Sequence, residues 1–284
     1  MGDFNGLQIQ YYARERVYGL LCSLVSPETD ERVTNTARMV SDAMFRVKDR
    51  LNKDFEINVC CNDYYSDFYT QTVLGYCKTK EQDNVILIPD FNFMERPSSG
   101  VMGYDETVTE ICRASKKEPE NNTLFWIGNP DSHASRRKLI ELSETDRRIE
   151  AYGMGWGDKD QGVNAATKFV SLPNHTKYKY LIDLPGYGWS GRMKFLMFSG
   201  RPLFLAEHEY YEYWHEDLIP FENYIPVKGD LSDLSARIDW AEAHPKECAE
   251  IAKNAQEYAL DHLMYTHAID YLGDVLIRLS LETL

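Results

Sequence analysis

One stretch constrains this chain more than any other: residues 177–202, which read KYKYLIDLPGYGWSGRMKFLMFSGRP. Its apolar start predicts a buried strand, and Gly186 and Gly188 predict a tight turn directly after it. Ser190 is a suitable N-cap for a helix that continues beyond it. Such a turn directs free backbone N–H groups toward an anion, and Arg192 adds a positive charge. The stretch therefore predicts an α/β unit that binds a phosphate-bearing ligand.

The rest of the chain alternates strands with helices. Between Val33 and Leu51 the apolar residues recur every three or four positions, which predicts an amphipathic helix. Further strands are expected at 55–61, 85–88, 123–127 and 203–206. This alternation is typical of the α/β class. The length of 284 residues suits two domains of roughly 130 residues each.

The domain boundary is expected at the charged, weakly hydrophobic stretch KKEPENN, residues 116–122. It separates an N-terminal domain, 1–118, from a C-terminal domain, 119–262. Residues 263–284 are expected to form a helix that can pack back on the first domain.

Composition excludes several kinds of partner. The formal net charge of −14 argues against a nucleic-acid partner, because a phosphate backbone needs a broad basic surface. No run of about 20 apolar residues predicts a membrane span, and no signal-peptide pattern is seen, so a cytoplasmic location is expected. The six cysteines show no CxxC spacing, which argues against a zinc site. Asp158 and Asp160 form a DxD pattern without a preceding apolar strand, and we interpret it as a chance match.

The segment GYGWSG, residues 186–191, also fits the GxGxxG fingerprint of dinucleotide-binding enzymes. Glu207 lies near the place, about 20 residues on, where that fingerprint has an acid. Two features count against an NAD-dependent oxidoreductase: the motif occurs late in the chain, and Arg192 would crowd a pyrophosphate held by backbone groups. An arginine there suits a diphosphate that becomes a leaving group, as in sugar transfer from a nucleotide sugar.

Residues 177–200, together with the stretch PLFLAEHEYYEYWHEDLIPFENYIPVKGDLSDL at 202–234, resemble glycosyltransferase family 90. This is the CAP10-like family that includes protein O-glucosyl- and O-xylosyltransferases. Weaker similarity extends upstream to the FWIGN, IPDFNF and FEINV stretches. The compact form resembles stand-alone members from large algal viruses, where xylosyl transfer occurs, and a viral chain would act in the host cytoplasm.

The resemblance implies a GT-B architecture, in which two Rossmann-like domains face a cleft, and inversion of the anomeric carbon without a required metal or other cofactor. Arg136, Ser190 and Arg192 match residues that hold the donor diphosphate. Gly186 matches a turn that lets the backbone approach the donor. Glu209 repeats a position near the donor pocket. Glu212 does so too, but it is equally compatible with a solvated helix face.

Inversion requires one general base for the acceptor hydroxyl. Asp63 matches the base of the family because it follows an INV strand end. However, residues 60–62 (Cys, Cys, Asn) stand where the family has a basic residue before the aspartate, and a shift of register makes Asp67 the alternative base. Each role also has a purely structural alternative: Ser190 as a helix cap, Arg192 as the partner of an acid such as Asp183, and Asp63 as a turn residue.

Together these features predict an inverting glycosyltransferase that moves a sugar from a UDP-sugar to a hydroxyl of a glycan. The first domain is expected to supply the base and the acceptor site, and the second to bind the donor. UDP-xylose is the preferred donor, because of the resemblance to the viral members, and UDP-glucose is next. The alternatives are a UDP-sugar-binding module without catalysis and, less favoured, the dinucleotide oxidoreductase.

Overall fold

The computed structural model describes residues 6–22, 27–65, 70–154 and 169–281. In chain order its strands are β1 (Gly6–Tyr12), β2 (Val17–Cys22), β3 (Phe55–Cys60), β4 (Val73–Gly75), β5 (Val85–Leu87), β6 (Asn121–Gly128), β7 (Ile149–Gly153), β8 (Tyr178–Asp183), β9 (Leu203–Ala206) and β10 (Ile225–Val227). The α-helices are α1 (Pro27–Val47), α2 (Tyr104–Ala114), α3 (Ala134–Thr145), α4 (Leu172–His175), α5 (Met193–Met197), α6 (Leu234–Ala243), α7 (Pro245–His262) and α8 (Tyr265–Leu281).

The chain divides into two compact units. Unit 1 contains Met1–Tyr104, Glu209–His215 and His262–Leu284, and unit 2 contains Asp105–His208 and Glu216–Asp261. The sequence puts the boundary after residue 118, whereas the contacts assign α2 to unit 2. One reason is that the Cys112 thiol and the Gln256 amide both lie within hydrogen-bonding distance of the Phe198 carbonyl oxygen.

Unit 1 is built on a mixed sheet in the order β2-β1-β3-β4-β5. β1 pairs antiparallel with β2 and β3, while β3, β4 and β5 are parallel to one another. The apolar side of α1 is buried, and the helix packs against α8. An ion pair of 2.5 Å between Arg46 and Asp270 joins the two helices. They approach closely because Gly273 has no side chain: a Cβ there would lie 2.8 Å from Val47 Cγ1.

Unit 2 is built on a parallel sheet in the order β10-β9-β8-β6-β7. Numbered from the first strand of the unit, this is the 2-1-3-4-5 order of a doubly wound sheet. Alternate residues of the strands, among them Trp126, Tyr180 and Phe204, form a buried core with the apolar sides of α3, α6 and α7. Strands covered on both faces are expected where helices follow each strand of a parallel sheet.

The predicted α/β class is confirmed, with one five-stranded sheet in each unit. The predicted strand at 203–206 matches β9, and the predicted helix near Val33 matches α1. The facing arrangement of two domains in GT-B enzymes stays a prediction.

Candidate active site

The order of the sheet in unit 2 reverses between β6 and β8. Ligands of doubly wound sheets bind outside the carboxyl ends of the strands at such a reversal. Arg136 lies on α3, which follows β6, and Gly186, Ser190 and Arg192 lie in the segment after β8. The fold therefore brings these four predicted donor-site residues to one edge of one sheet.

Arg192 is held at this edge by both neighbouring strands. Its Nη1 donates a hydrogen bond to the carbonyl oxygen of Ile127 in β6, and its Nη2 lies 3.5 Å from Oδ1 of Asp183, the last residue of β8. Only 20% of its side chain is exposed. Burial lowers the pKa of its guanidinium, and the Asp183 charge partly opposes that shift. An arginine stays protonated under these conditions, so the site keeps a fixed positive charge.

Arg136 is bound almost entirely by main-chain oxygens. Its Nε donates to the Pro185 carbonyl at 2.7 Å, its Nη2 to the Leu184 carbonyl at 3.2 Å, and its Nη1 to the Asn129 carbonyl at 3.1 Å. These bonds connect the loop after β6 with the loop after β8. Arg136 therefore shapes the turn, in addition to any contact with a ligand.

The two guanidinium groups share one aromatic ring. The Cζ atoms of Arg136 and Arg192 lie 5.6 and 5.8 Å from the centroid of Trp126. Burial and the nearby Arg192 charge lower the pKa of Arg136 to about 10, and Asp183 is the acid that opposes the shift at both arginines. Two cations balanced by one buried carboxylate leave a positive excess, which favours an anionic ligand.

Ser190 does not cap the following helix, so that prediction is wrong. Its hydroxyl donates to Oδ1 of Asp183 at 2.8 Å, and the N-cap position of α5 is Arg192, without a side-chain cap. The reason is an extra turn before the helix, in which the Met193 N–H donates to the Ser190 carbonyl. While the Ser190 hydroxyl donates its hydrogen bond to Asp183, its oxygen can only accept hydrogen bonds from other groups.

Gly186 occupies a position with little room for a side chain. A Cβ at this residue would lie 3.1 Å from the Trp189 carbonyl oxygen and 3.5 Å from Arg136 Nη2. The glycine thus lets the turn close on the Trp189 carbonyl oxygen, while a Cβ would be in ordinary contact with Arg136.

In unit 1, Asp63 follows the carboxyl end of β3. Its Oδ1 lies 2.8 Å from Nη1 of Arg32, which is on α1, and 40% of its side chain is exposed. The Cys77 thiol donates to the Asp63 carbonyl oxygen at 3.2 Å. Both contacts orient the carboxylate, while its exposure leaves it accessible to another group.

A second arginine lies close to the first. The Cζ atoms of Arg32 and Arg96 each lie 5.1 Å from the centroid of Phe91. Burial and the Arg32 charge lower the pKa of Arg96, and Glu31, Asp90 and Asp63 oppose that shift. Asp63 therefore belongs to a charged cluster of two arginines and three acids around the IPDFNF stretch.

The remaining candidates are placed as follows. Asp67, Asp158 and Asp160 lie outside the described residues. Glu209 is exposed in unit 1. Glu212 is fully buried, with its Oε2 3.3 Å from Nε2 of His215, so the interpretation of Glu212 as a solvated helix face is wrong.

A model of glycosyl transferase family 90 matches residues 31–280 of the chain. The chain belongs to this family.

Curated relatives carry the names of protein O-glucosyltransferases. Protein O-glucosyltransferase 1 of Rattus norvegicus is 29% identical over 226 residues, which cover 74% of this chain and 57% of the relative. Protein O-glucosyltransferase 2 of Danio rerio is 27% identical over 198 residues, which cover 68% of this chain and 39% of the relative. The chain thus spans only about half the length of these family 90 relatives.

Among solved structures, a crystal structure of Anabaena Alr3699/HepE in complex with UDP and glucose is similar at 13% identity and a TM-score of 0.45. The match covers 85% of this chain and 68% of that chain. At so low a TM-score, this likeness carries no argument about fold or ligand.

Two residues near Arg192 in unit 2 are not among the sequence predictions: Trp126 and His175. Asp183 could be found only as one of several acids that might pair with Arg192. Trp126 lies in the FWIGN stretch, but nothing in the sequence indicates that its ring lies beside two arginines from distant segments. His175 is buried at the end of α4, where no motif marks it.

Within the described ranges, no helix combines the length and apolar character needed to cross a bilayer. The same ranges contain no group of three or more His, Cys, Asp or Glu side chains placed to hold a metal ion. That transfer needs no metal stays a prediction.

Proposed function

We propose that this chain is an inverting glycosyltransferase that moves a sugar from a UDP-sugar to an acceptor hydroxyl. The observation that carries the proposal is the pair of guanidinium groups, Arg136 and Arg192, beside Trp126 at the reversal of the sheet in unit 2. Membership of glycosyl transferase family 90 supports the reaction class.

The arginines suit a leaving diphosphate. When the bond between the sugar and UDP breaks, negative charge develops on the β-phosphate. A fixed guanidinium in a partly buried site stabilises this charge more strongly than water-exposed groups do. Arg192 is the better candidate for direct contact, because the nitrogens of Arg136 are already bonded to carbonyl oxygens.

Asp63 is the proposed base. An ionised, accessible carboxylate can take the proton of the acceptor hydroxyl as the hydroxyl oxygen attacks the anomeric carbon. Arg32 would hold the carboxylate in one orientation through the ion pair at Oδ1. Oδ2 would then accept the proton.

For the sugar, we propose UDP-glucose or UDP-xylose as the donor. The names of the relatives, protein O-glucosyltransferases, support glucose. The preference for xylose rests only on resemblance to compact viral members. The acceptor is proposed to be a glycan, whereas those names specify proteins, so both acceptor classes belong in the test.

The first experiment compares ligands. We expect UDP, UDP-glucose or UDP-xylose to raise Tm more than NAD(H) does, and one of the two UDP-sugars to be hydrolysed slowly or transferred. A larger shift with NAD(H) would instead support the dinucleotide oxidoreductase. Transfer measured with EDTA and with added Mg²⁺ tests the expectation that no metal is needed.

The second experiment tests catalysis against simple binding. Asp63→Asn should keep UDP affinity within about twofold and reduce transfer by about 10²–10⁴-fold, because it removes the base but not the donor site. Asp49→Asn is the matched control, since Asp49 is also an arginine-paired, exposed acid of unit 1. In the alternative function, a UDP-sugar-binding module without catalysis, the ion pair with Arg32 gives Asp63 only a structural role. That alternative predicts that the unmodified protein transfers no sugar.

A further inference from the structure

Besides Nε1 of Trp126, a residue of the opposite face of the sheet, three polar side-chain atoms are buried in unit 2 near Arg192 without a hydrogen-bond partner in the described part of the chain. They are Nε2 of His175, Oδ2 of Asp183 and Nε of Arg192. Burying such a group unpaired is unfavourable, because its hydrogen bonds to water are lost and not replaced. The Arg192 charge acts on His175, and Arg192 lies beside Asp183, so the three atoms call for a common explanation.

The state of His175 follows from its other ring nitrogen. Nδ1 lies 3.0 Å from the carbonyl oxygen of Ser171, and a carbonyl oxygen can only accept a hydrogen bond. Nδ1 therefore carries the proton, and Nε2 is a bare acceptor. Burial lowers the pKa of His175 to about 3, and the Arg192 charge adds to this shift, so the ring is neutral at physiological pH.

His175 and Asp183 lie on the same side of the sheet. The ring of His175 packs edge-on against Phe125 at a centroid distance of 5.1 Å. Phe125 is the register partner of Leu181, and side chains of paired strand residues share a face. Asp183 lies two residues beyond Leu181 and shares this face too. The cluster thus contains two acceptors, on His175 and Asp183, and one donor, on Arg192.

We propose that His175 is a positioning residue that holds Arg192 through one buried water, which it shares with Asp183. The water donates to His175 Nε2 and to Asp183 Oδ2, and it accepts the Nε–H of Arg192. A buried water typically makes about three hydrogen bonds to otherwise unsatisfied polar groups. The functional part of this inference rests on the proposed role of Arg192 in binding the donor diphosphate.

This arrangement fixes the whole guanidinium group. Nη1 is bonded to the Ile127 carbonyl, and Nη2 lies 3.5 Å from Asp183, which is long for a hydrogen bond. Anchoring Nε removes the remaining freedom of the group. A cation that is already oriented loses less conformational entropy when the diphosphate binds.

Two variants separate the acceptor atom from the rest of the side chain. His175→Asn keeps an N–H that can bond to the Ser171 carbonyl but removes the acceptor at Nε2. His175→Gln places a carbonyl oxygen near the position of Nε2. We expect the Kd for UDP to rise about tenfold in His175→Asn and to stay within about threefold in His175→Gln. An unchanged Kd in His175→Asn would overturn the proposal.

The Arg192→Ala background tests whether His175 acts through Arg192. There, adding His175→Asn should change the Kd by less than about twofold, because the group that it positions is gone. If the double variant loses the same factor as the single one, His175 has only a structural role.

A measurement without ligand separates this inference from the proposed function. In ¹⁵N-labelled protein, the Arg192 Nε–H signal should exchange slowly with solvent in the unmodified chain and in His175→Gln, and at least about tenfold faster in His175→Asn. Equal exchange rates would overturn the link between His175 and Arg192. Failure of the unmodified chain to bind UDP would overturn the donor assignment instead, whatever the exchange rates.

Discussion

Arg136 and Arg192 share the Trp126 ring, but they use their nitrogen atoms differently. Arg136 donates hydrogen bonds to three carbonyl oxygens, whereas Arg192 donates to one. We therefore expect Arg192→Ala to raise the Kd for UDP by about 10–100-fold, since a charge-assisted hydrogen bond contributes about 1.5–3 kcal/mol, and to lower Tm less than Arg136→Ala does. Arg136→Ala should weaken UDP binding and also lower Tm.

Calorimetric titration and thermal unfolding measure the two effects. Arg137→Ala is the control, because Arg137 is next in sequence but exposed and paired with Asp131. Equal losses of Tm in the Arg136 and Arg192 variants would contradict the different roles.

His175 makes the free energy of unfolding depend on pH between about pH 3 and pH 6.5. Its pKa is about 3 in the folded chain and 6.5 as an ordinary histidine, because burial disfavours the charged ring. Below pH 6.5 the unfolded chain therefore binds a proton that the folded chain does not, and stability falls by about 1.4 kcal/mol per pH unit until about pH 3. Above pH 6.5 the ring is neutral in both the folded and the unfolded chain, so His175 adds no pH dependence there.

Urea unfolding at pH 7.5 and pH 5.5 tests this expectation. The unmodified chain should lose about 1 kcal/mol more than His175→Asn between the two values. The same loss in both proteins would mean that His175 is protonated in the fold.

The turn after β8 shows how local sequence and tertiary packing combine. Gly186 and the strand before it could be predicted from the glycine pattern. The packing of Arg136 Nη2 against this turn could not, because Arg136 comes from a segment about 50 residues earlier in the chain. Gly186→Ala should lower stability by about 1–3 kcal/mol and weaken UDP binding, since the new Cβ crowds the Trp189 carbonyl oxygen and the turn must shift to relieve it.

Thermal unfolding and UDP titration of Gly186→Ala are compared with Gly19→Ala. A Cβ at Gly19 has as its nearest neighbour Gln10 Oε1 at 4.0 Å, so that variant should behave as the unmodified chain. Unchanged stability and UDP affinity in Gly186→Ala would show that the turn can accommodate a Cβ at this position.

The predictable part of the fold is the part with strong periodicity. α1 has a clear amphipathic pattern, and β9 is a short apolar run between polar segments, so both were found. β4 has only three residues and β7 ends in a glycine-rich stretch, and neither gives a periodic signal. The pattern after GYGWSG predicts a helix capped by Ser190, whereas an extra turn places the N-cap at Arg192 and the Ser190 hydroxyl donates to Asp183.

The predictable part of the site follows the same rule. Arg136, Gly186 and Arg192 belong to local motifs that mark them. Trp126 and His175 gain their importance from segments that meet only in the fold, and so does Arg32 beside Asp63. Their roles depend on register and burial, which one sequence does not specify.

At the level of the whole molecule, the last helix, α8, belongs to unit 1, which also contains the first strands and α1. α8 packs on α1, and besides the Arg46 ion pair it is held by Tyr265, whose hydroxyl donates to Asp42 at 2.6 Å. The arginines proposed to bind UDP all belong to unit 2. Stability and donor affinity should therefore respond separately to changes in α8.

Gly273→Leu tests this separation. A Cβ at this position already lies 2.8 Å from Val47 Cγ1, so a leucine must push α8 away from α1. We expect a loss of about 1–3 kcal/mol, or a Tm lower by about 2–4 °C per kcal/mol, with the Kd for UDP at 20 °C unchanged within about twofold. Asp274→Ala changes the neighbouring, exposed residue and should leave both quantities as they are. A tenfold loss of UDP affinity in Gly273→Leu would mean that the donor site depends on α8, and hence that the two units do not act separately.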